Sequence, residues 1–387
     1  MKIFFLTISL FFTYRIQAQS INHHKLSELL IQAKEYNSEA VIIYQNGNLV
    51  AENYFAAGYA DKKIEAMSAT KSIIGLAVAC ILTEGLIDSL DTPVWHFYPE
   101  WKQGKKKHIT IRHLVHMTSG LQNHPNAGEE IYPSPDFVQL ALAAELSDTP
   151  GEVWSYNNKS LNLMAGVIQK ITGKRMDVYI GEQLFSPLNI TDFTWTLDHA
   201  GNPHVMSGCQ IKPKDFVKLG ILVLNRGQYN DKIMIKPEYI DEVVKPCPQF
   251  PGYGMLWWID YDENISIVDD EIIDNIQTAG IDSSFVQKLK LMKGVHPTNE
   301  AFLSQLRKVF GDQYNEIIYT ALLGKHKIRK REFKGNVNYR ADGFLGNYLI
   351  VDPQAKLVAL RMISYDSFRD QNDNFNSFKT LVNELIQ

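Results

Sequence analysis

The sequence predicts an α+β protein: an antiparallel sheet flanked by N- and C-terminal helices, with an all-helical subdomain inserted between the strands. Three observations predict it. Strand patterns cluster at the two ends of the chain, at 39–55 and again at 343–365. Between 88 and 200 the pattern is mostly helical, broken by Pro and Gly. Residues 72–82 are apolar on every side, and a helix apolar all round belongs in the middle of a large domain. Helices packed on a sheet with a helical lobe beside it leave a cleft between the two, the expected place for a site.

Each element follows from its residues. Ile21 to Tyr36 has helical periodicity. Glu39 to Gln45 and Leu49 to Phe55 read as strands, and Asn46-Gly47 between them is a two-residue hairpin signal. The apolar helix follows Ser68 and ends near Glu84-Gly85, with glycine as C-cap. Lys214 to Asn225 and Pro237 to Val244 read as helices. Strand signals return at Tyr253 to Asp260, at Gly343 to Val351 and at Lys356 to Tyr365, with Asp352-Pro353 turning between the last two. Asp373 to Gln387 closes the chain as a helix. Residues 261–340 are too many for a structureless loop. Helical patterns at Ser284 to Met292, Glu300 to Phe310 and Asp312 to Leu323 make them a helical insertion.

The chain of 387 residues is 45% hydrophobic and 21% charged, enough for one large or two medium globular domains. A net charge of -4 gives no reason to expect nucleic acid or an anionic membrane as partner. Met1-Lys2, the apolar run Ile3 to Phe12 and Ile16-Gln17-Ala18 read as a signal peptide at 1–18 cut after Ala18. The expectation is a secreted or periplasmic protein of residues 19–387, with no stable membrane insertion after cleavage. The run is too short to span a bilayer. Cys80 reads as a buried small hydrophobe, and pairing of Cys209 with Cys247 stays open.

Chemistry concentrates in a few places. Ser68-Ala69-Thr70-Lys71 puts a hydroxyl and an amine three residues apart, on one helix face. A lysine held against a buried helix loses hydration, and its pKa falls towards that of a base. Free N–H groups at a helix start can hold an oxyanion. Together these parts make an acylating nucleophile. Tyr156-Asn157-Asn158 supplies a phenol that a neighbouring lysine would keep partly phenolate, and Asn158 could hold Lys71 and a substrate carbonyl. Gly343-Phe344 opens a strand where backbone approaches closely, and the Phe344 N–H could complete an oxyanion hole with that of Ser68. His108, His113 and His116 lack a carboxylate or third ligand placed for a metalloenzyme, so they read as structural or surface residues. Nothing in the sequence calls for a metal or cofactor.

Taken together, these stretches resemble the serine β-lactamase and penicillin-binding-protein superfamily, in its class C-like branch of esterases, D,D-peptidases and 6-aminohexanoate-oligomer hydrolases. The likeness is carried by Met67 to Ser72, Ile109 to Leu121, Pro150 to Asn158, Tyr253 to Trp258 and Ala341 to Pro353. It implies a β-lactamase/transpeptidase-like fold with the helical subdomain at about 88–200 and the insertion at about 261–340. By the same resemblance Ser68 is the nucleophile, Lys71 and Tyr156 its base system, Asn158 its orienting group, and Gly343-Phe344 stands in place of the third motif. One departure is Ala341, where β-lactamases carry Lys or His that would hold a substrate carboxylate. That favours an ester or amide substrate, small or peptide-like, over a β-lactam. The insertion is a second departure, expected as a lid because it runs directly into the third motif. A β-lactamase or D,D-peptidase acting on peptidoglycan-like substrates, or a non-catalytic sensor of the same fold, remain the alternatives. Oligomeric state is not legible.

Overall fold

The computed structural model describes residues 20–386 apart from 125, 324 and 325; the expected signal peptide lies outside the described residues. A seven-stranded antiparallel sheet organises the molecule. Its strands are β1 (Ala40–Gln45), β2 (Asn48–Tyr54), β3 (Trp258–Val268), β4 (Gly294–His296), β5 (Lys330–Gly343), β6 (Asn347–Asp352) and β7 (Leu357–Met362). The spatial order is β2-β1-β7-β6-β5-β3-β4, so the first hairpin docks on the last strand, with Ala40 opposite Met362. Asn46 and Gly47 both take positive φ, the twist a two-residue hairpin needs.

Side chains alternate across the sheet. Val41, Ile43, Leu357 and Ala359 face α1 (His23–Glu35) and the C-terminal residues Phe375, Phe378 and Val382. Ile42, Val358, Leu360 and Leu349 face the central core, which holds α2 (Thr70–Glu84) and the helix Pro213–Leu224. Gly220 of that helix lies so close that an added Cβ would come within 2.8 Å of Val358 and Leu349 side chains. Between Thr70 and Leu82 every residue of α2 is buried, and Gly85 caps the helix in the left-handed region. The Met67–Glu84 segment is apolar enough to cross a membrane by composition, but 83% of it is buried inside the protein, as a core helix is.

The helical lobe is broken into short helices between 94 and 188, as the Pro and Gly spacing predicts. A three-stranded sheet of Ile64–Glu65, Cys209–Ile211 and Phe193–Trp195 went unforeseen, because strands of two or three residues leave no alternation to read. Three expected strand and helix bounds are corrected. Tyr253 to Trp257 is a turn, with Leu256 at φ 63°, and the strand starts at Trp258. Gly343 ends a strand rather than opening one: Phe344–Gly346 makes a tight turn with Leu345 at φ 69° before β6. The closing helix is only Phe378–Asn383.

The insertion is not all helical. Its flanks are the long arms of β3 and β5, which pair from Arg340–Trp258 out to Lys330–Ile267 through a bulge near Lys334. Four helices lie between them, the three expected plus Asp270–Thr278, and they share an apolar core of their own around Ile273, Leu289, Phe302 and Leu306.

Candidate active site

Ser68 sits in a one-turn 3₁₀ helix, Met67–Ala69, that leads into α2. Met67 holds a positive φ of 52°, a strained geometry for a long side chain. The turn is fixed from several directions. The Gly343 backbone lies so near that an added Cβ would sit 2.2 Å from the Ala66 carbonyl oxygen. Buried Asn347 donates through Nδ2 to the carbonyls of Glu65 and Phe344, and its Oδ1 accepts from the Ile363 N–H. Ser68 and Phe344 each stand in the first turn of a helical segment, where N–H groups have no intrahelical acceptor.

Lys71 lies one turn on, 1% exposed, with Nζ 3.0 Å from Ser68 Oγ and 2.6 Å from the Met206 carbonyl oxygen. Burial brings its pKa down to about 7, so near neutrality the amine carries a lone pair about half the time. In that state the hydrogen bond reverses, and the serine hydroxyl donates to the amine.

The Tyr156 ring centroid is 4.9 Å from Lys71 Nζ. Trp258 stacks near-parallel to the ring at 6.0 Å, and Tyr253 meets it edge-on at 6.4 Å. Burial pushes the phenol up to about 12, while a hydrogen bond with the Ser68 hydroxyl acts the other way. The expectation of a phenol kept partly ionised by Lys71 is therefore corrected. An amine charged only about half the time near neutrality does little to hold a phenolate, so Tyr156 rests as the phenol.

Two of the stretches singled out in the sequence prove to be scaffolding for these three groups. The Met117 carbonyl accepts from the Ser155 N–H, and Asn157 Nδ2 donates to the Leu121 carbonyl, so the 117–121 turn holds Tyr156 in place. An added Cβ at Gly120 would lie 2.4 Å from the Asp148 carbonyl oxygen. On the other side, Trp257 Nε1 donates to the Ser72 carbonyl and Ser72 Oγ donates to that of Leu256, which fastens the 253–258 turn to α2.

A family model described as Beta-lactamase matches residues 27–225, just over half of the chain and the part that carries Ser68, Lys71 and Tyr156. The chain belongs to the β-lactamase family. Among curated relatives, Protein flp of Staphylococcus aureus (strain COL) is 25% identical over 188 residues, covering 45% of this chain and 38% of that protein. This β-lactamase family member thus spans less than half the length of that relative. Its fold is also shared with solved structures. A Bacillus anthracis protein provisionally assigned as a 6-aminohexanoate-dimer hydrolase superposes with TM-score 0.62 at 19% identity, covering 93% of this chain and 80% of that one. The octameric penicillin-binding protein homologue from Pyrococcus abyssi gives 0.59 at 17%, covering 94% and 78%. EstCE1, a hydrolase with promiscuous acyltransferase activity, gives 0.58 at 14%, covering 94% and 97%.

Within this β-lactamase family member the remaining expected residues divide. Asn158 does not hold Lys71; the Met206 carbonyl does, and Asn158 Oδ1 is buried without a partner. Met206 carried no sequence signal, because the group that acts is a backbone carbonyl. Its loop is pinned by Asn162 Oδ1 to the Val205 N–H and by Glu65 Oε1 to the Gly208 N–H. Gly343 abuts the Ser68 turn, while the Phe344 side chain is 51% exposed and faces Tyr365 and Phe368 at ring distances of 6.2 Å. Ala341 is fully buried against the central core. His113 caps its own short helix, accepting from the Thr110 N–H through Nδ1, and His116 is buried with Nε2 unpartnered. Among the described residues no three His, Cys, Asp or Glu side chains group as metal ligands. Cys80, Cys209 and Cys247 are all free and buried.

Proposed function

We propose that this β-lactamase family member is a secreted serine hydrolase that cleaves ester or amide bonds through an acyl-enzyme on Ser68. The observation that carries the reading is the 3.0 Å approach of a buried amine, with pKa about 7, to the Ser68 hydroxyl beside a phenol. The hydroxyl gives its proton to Lys71 Nζ as the Oγ–carbonyl bond forms, and the N–H groups of Ser68 and Phe344 take the developing oxyanion. The leaving group departs with the proton of Tyr156, and the Lys71 ammonium returns one to the phenolate. Water then loses a proton to Lys71 as it attacks the acyl carbonyl, and the Lys71 ammonium returns that proton to Ser68 Oγ as the Oγ–carbonyl bond breaks and the acid leaves. Asn158 Oδ1 is unpartnered but buried, so it would have to turn into the cleft to accept from a substrate N–H.

The substrate end nearest Ser68 meets apolar surface. Exposed Phe344 and Tyr365 stand beside the Met67 turn, and Ala341 supplies no cation there. Apolar acyl esters and amides fit that mouth better than the carboxylates of β-lactams. The test is a panel of short-chain p-nitrophenyl esters, 6-aminohexanoate dimer, nitrocefin and D-Ala-D-Ala peptides, each with Ser68→Ala as control. Ester or amide turnover that vanishes in the variant is expected. Turnover confined to nitrocefin or D-Ala-D-Ala peptides would favour a β-lactamase or D,D-peptidase. Turnover unchanged in Ser68→Ala would overturn the mechanism.

A further inference from the structure

Between the insertion and the body lies a groove of about 990 Å³. Trp154, Phe250 and Pro251 form the wall on the body side, and Glu271, Ile272, Asn275, Lys327 and Arg331 line the insertion side. The body wall is the aromatic cluster that also packs the catalytic phenol. Trp154 lies 4.5 Å from Phe250, and Trp258 bridges from Phe250 at 6.5 Å to Tyr156 at 6.0 Å. The groove therefore backs directly onto the wall of the candidate active site.

Its charge is uneven. Lys330 is neutralised by Asp269 and Glu271. Arg329 is spent on Ser266 and Asn299 and on the face of Phe302. Arg331 differs from both. Its guanidinium lies 4.9 Å from the Phe250 ring centroid, half-buried, and among the described residues it makes no hydrogen bond or ion pair. Burial with no anion near it lowers its pKa to about 10. A desolvated guanidinium stacked on an aromatic face keeps its planar fork free, and that fork matches a carboxylate bidentately.

We propose that Arg331 makes this groove a distal subsite for a carboxylate at the far end of a linear ester or amide substrate. Ala341 supplies no such cation beside the nucleophile, so the insertion would add the recognition that Ala341 removes. This inference rests on the hydrolase reading given above. It makes Arg331 a specificity residue: it touches one end of the substrate and takes no part in bond breaking.

The experiment uses the full chain and two matched probes, mono-p-nitrophenyl sebacate and its methyl-capped diester. They share chain length and leaving group and differ in one terminal charge. The wild type should show the lower KM for the free acid. Arg331→Ala should raise that KM about tenfold with kcat little changed, and leave the diester alone, since one charge-assisted bidentate contact is of that order. Arg331→Lys should restore part of the effect, and thermal melts of both variants separate binding from misfolding. Equal changes for acid and diester, or none in a folded variant, would overturn the subsite while leaving ester turnover, and so the hydrolase reading, intact. Failure of the wild type to turn over either ester or to take up a fluorophosphonate would remove both.

Discussion

The protonation of Lys71 should control the rate of Ser68 acylation. The perturbation is pH alone. With the amine at about 7, about 1% of the protein carries a neutral Lys71 at pH 5, about half at pH 7 and about 90% at pH 8. Single-turnover acylation by a p-nitrophenyl ester should therefore rise about tenfold per pH unit between 5 and 6, bend near 7, and stay flat to about 9. Tyr156, pushed up to about 12, adds no second inflection in that range. Stopped-flow release of p-nitrophenol, corrected for its own ionisation, gives the profile. Lys71→Arg supplies the control, because guanidinium does not deprotonate in a protein and should leave no rising limb. A profile that is flat from 5 to 9, or that bends only above 9, would refute the assignment of Lys71 as the base.

Other outcomes follow from the same contacts. Lys71 is held at about 7 in the fold and at its usual 10.5 when unfolded, so the unfolded chain binds more protons between those values and stability should rise with pH across that window. Lys71→Met should then raise the melting temperature most below pH 7 and least near pH 10 while abolishing turnover, a trade of stability against function readable by calorimetry. Gly343→Ala forces a Cβ to 2.2 Å from the Ala66 carbonyl and must move the Ser68 turn; a loss of kcat of at least tenfold with destabilisation of about 1–3 kcal/mol is expected from kinetics and urea melts. Arg361 is fully buried and donates to Ser38 Oγ and to the carbonyls of Tyr36, Leu345, Gly346 and Asp373, so Arg361→Met should cost about 3–5 kcal/mol by leaving those acceptors unpaired.

The sheet-and-helix frame was legible because its strands alternate and its helices repeat over long stretches. The first hairpin, α2 and the helix at 213–224 fall where their patterns place them. What escaped has physical reasons. The 14-residue strand Lys330–Gly343 is charged along its outer half, since it stands half in solvent, and it therefore looked like the end of a helical insertion. The turn at 253–257 is apolar because it packs on α2, and so imitated a strand. At the site, Ser68, Lys71 and Tyr156 announce themselves by residue type, and the structure brings all three together. The Met206 carbonyl could not, because any residue offers one. Nor could the protonation order of Lys71 and Tyr156, which depends first on how completely each is stripped of water.

The central claim is that Ser68 is the nucleophile that becomes covalently modified. Intact-protein and peptide mass spectrometry after treatment with a fluorophosphonate tests it most directly. One adduct on the peptide that carries Ser68, lost in Ser68→Ala and formed more slowly in Lys71→Met, is the predicted result. Labelling at another residue, or labelling and ester turnover undiminished in Ser68→Ala, would contradict it.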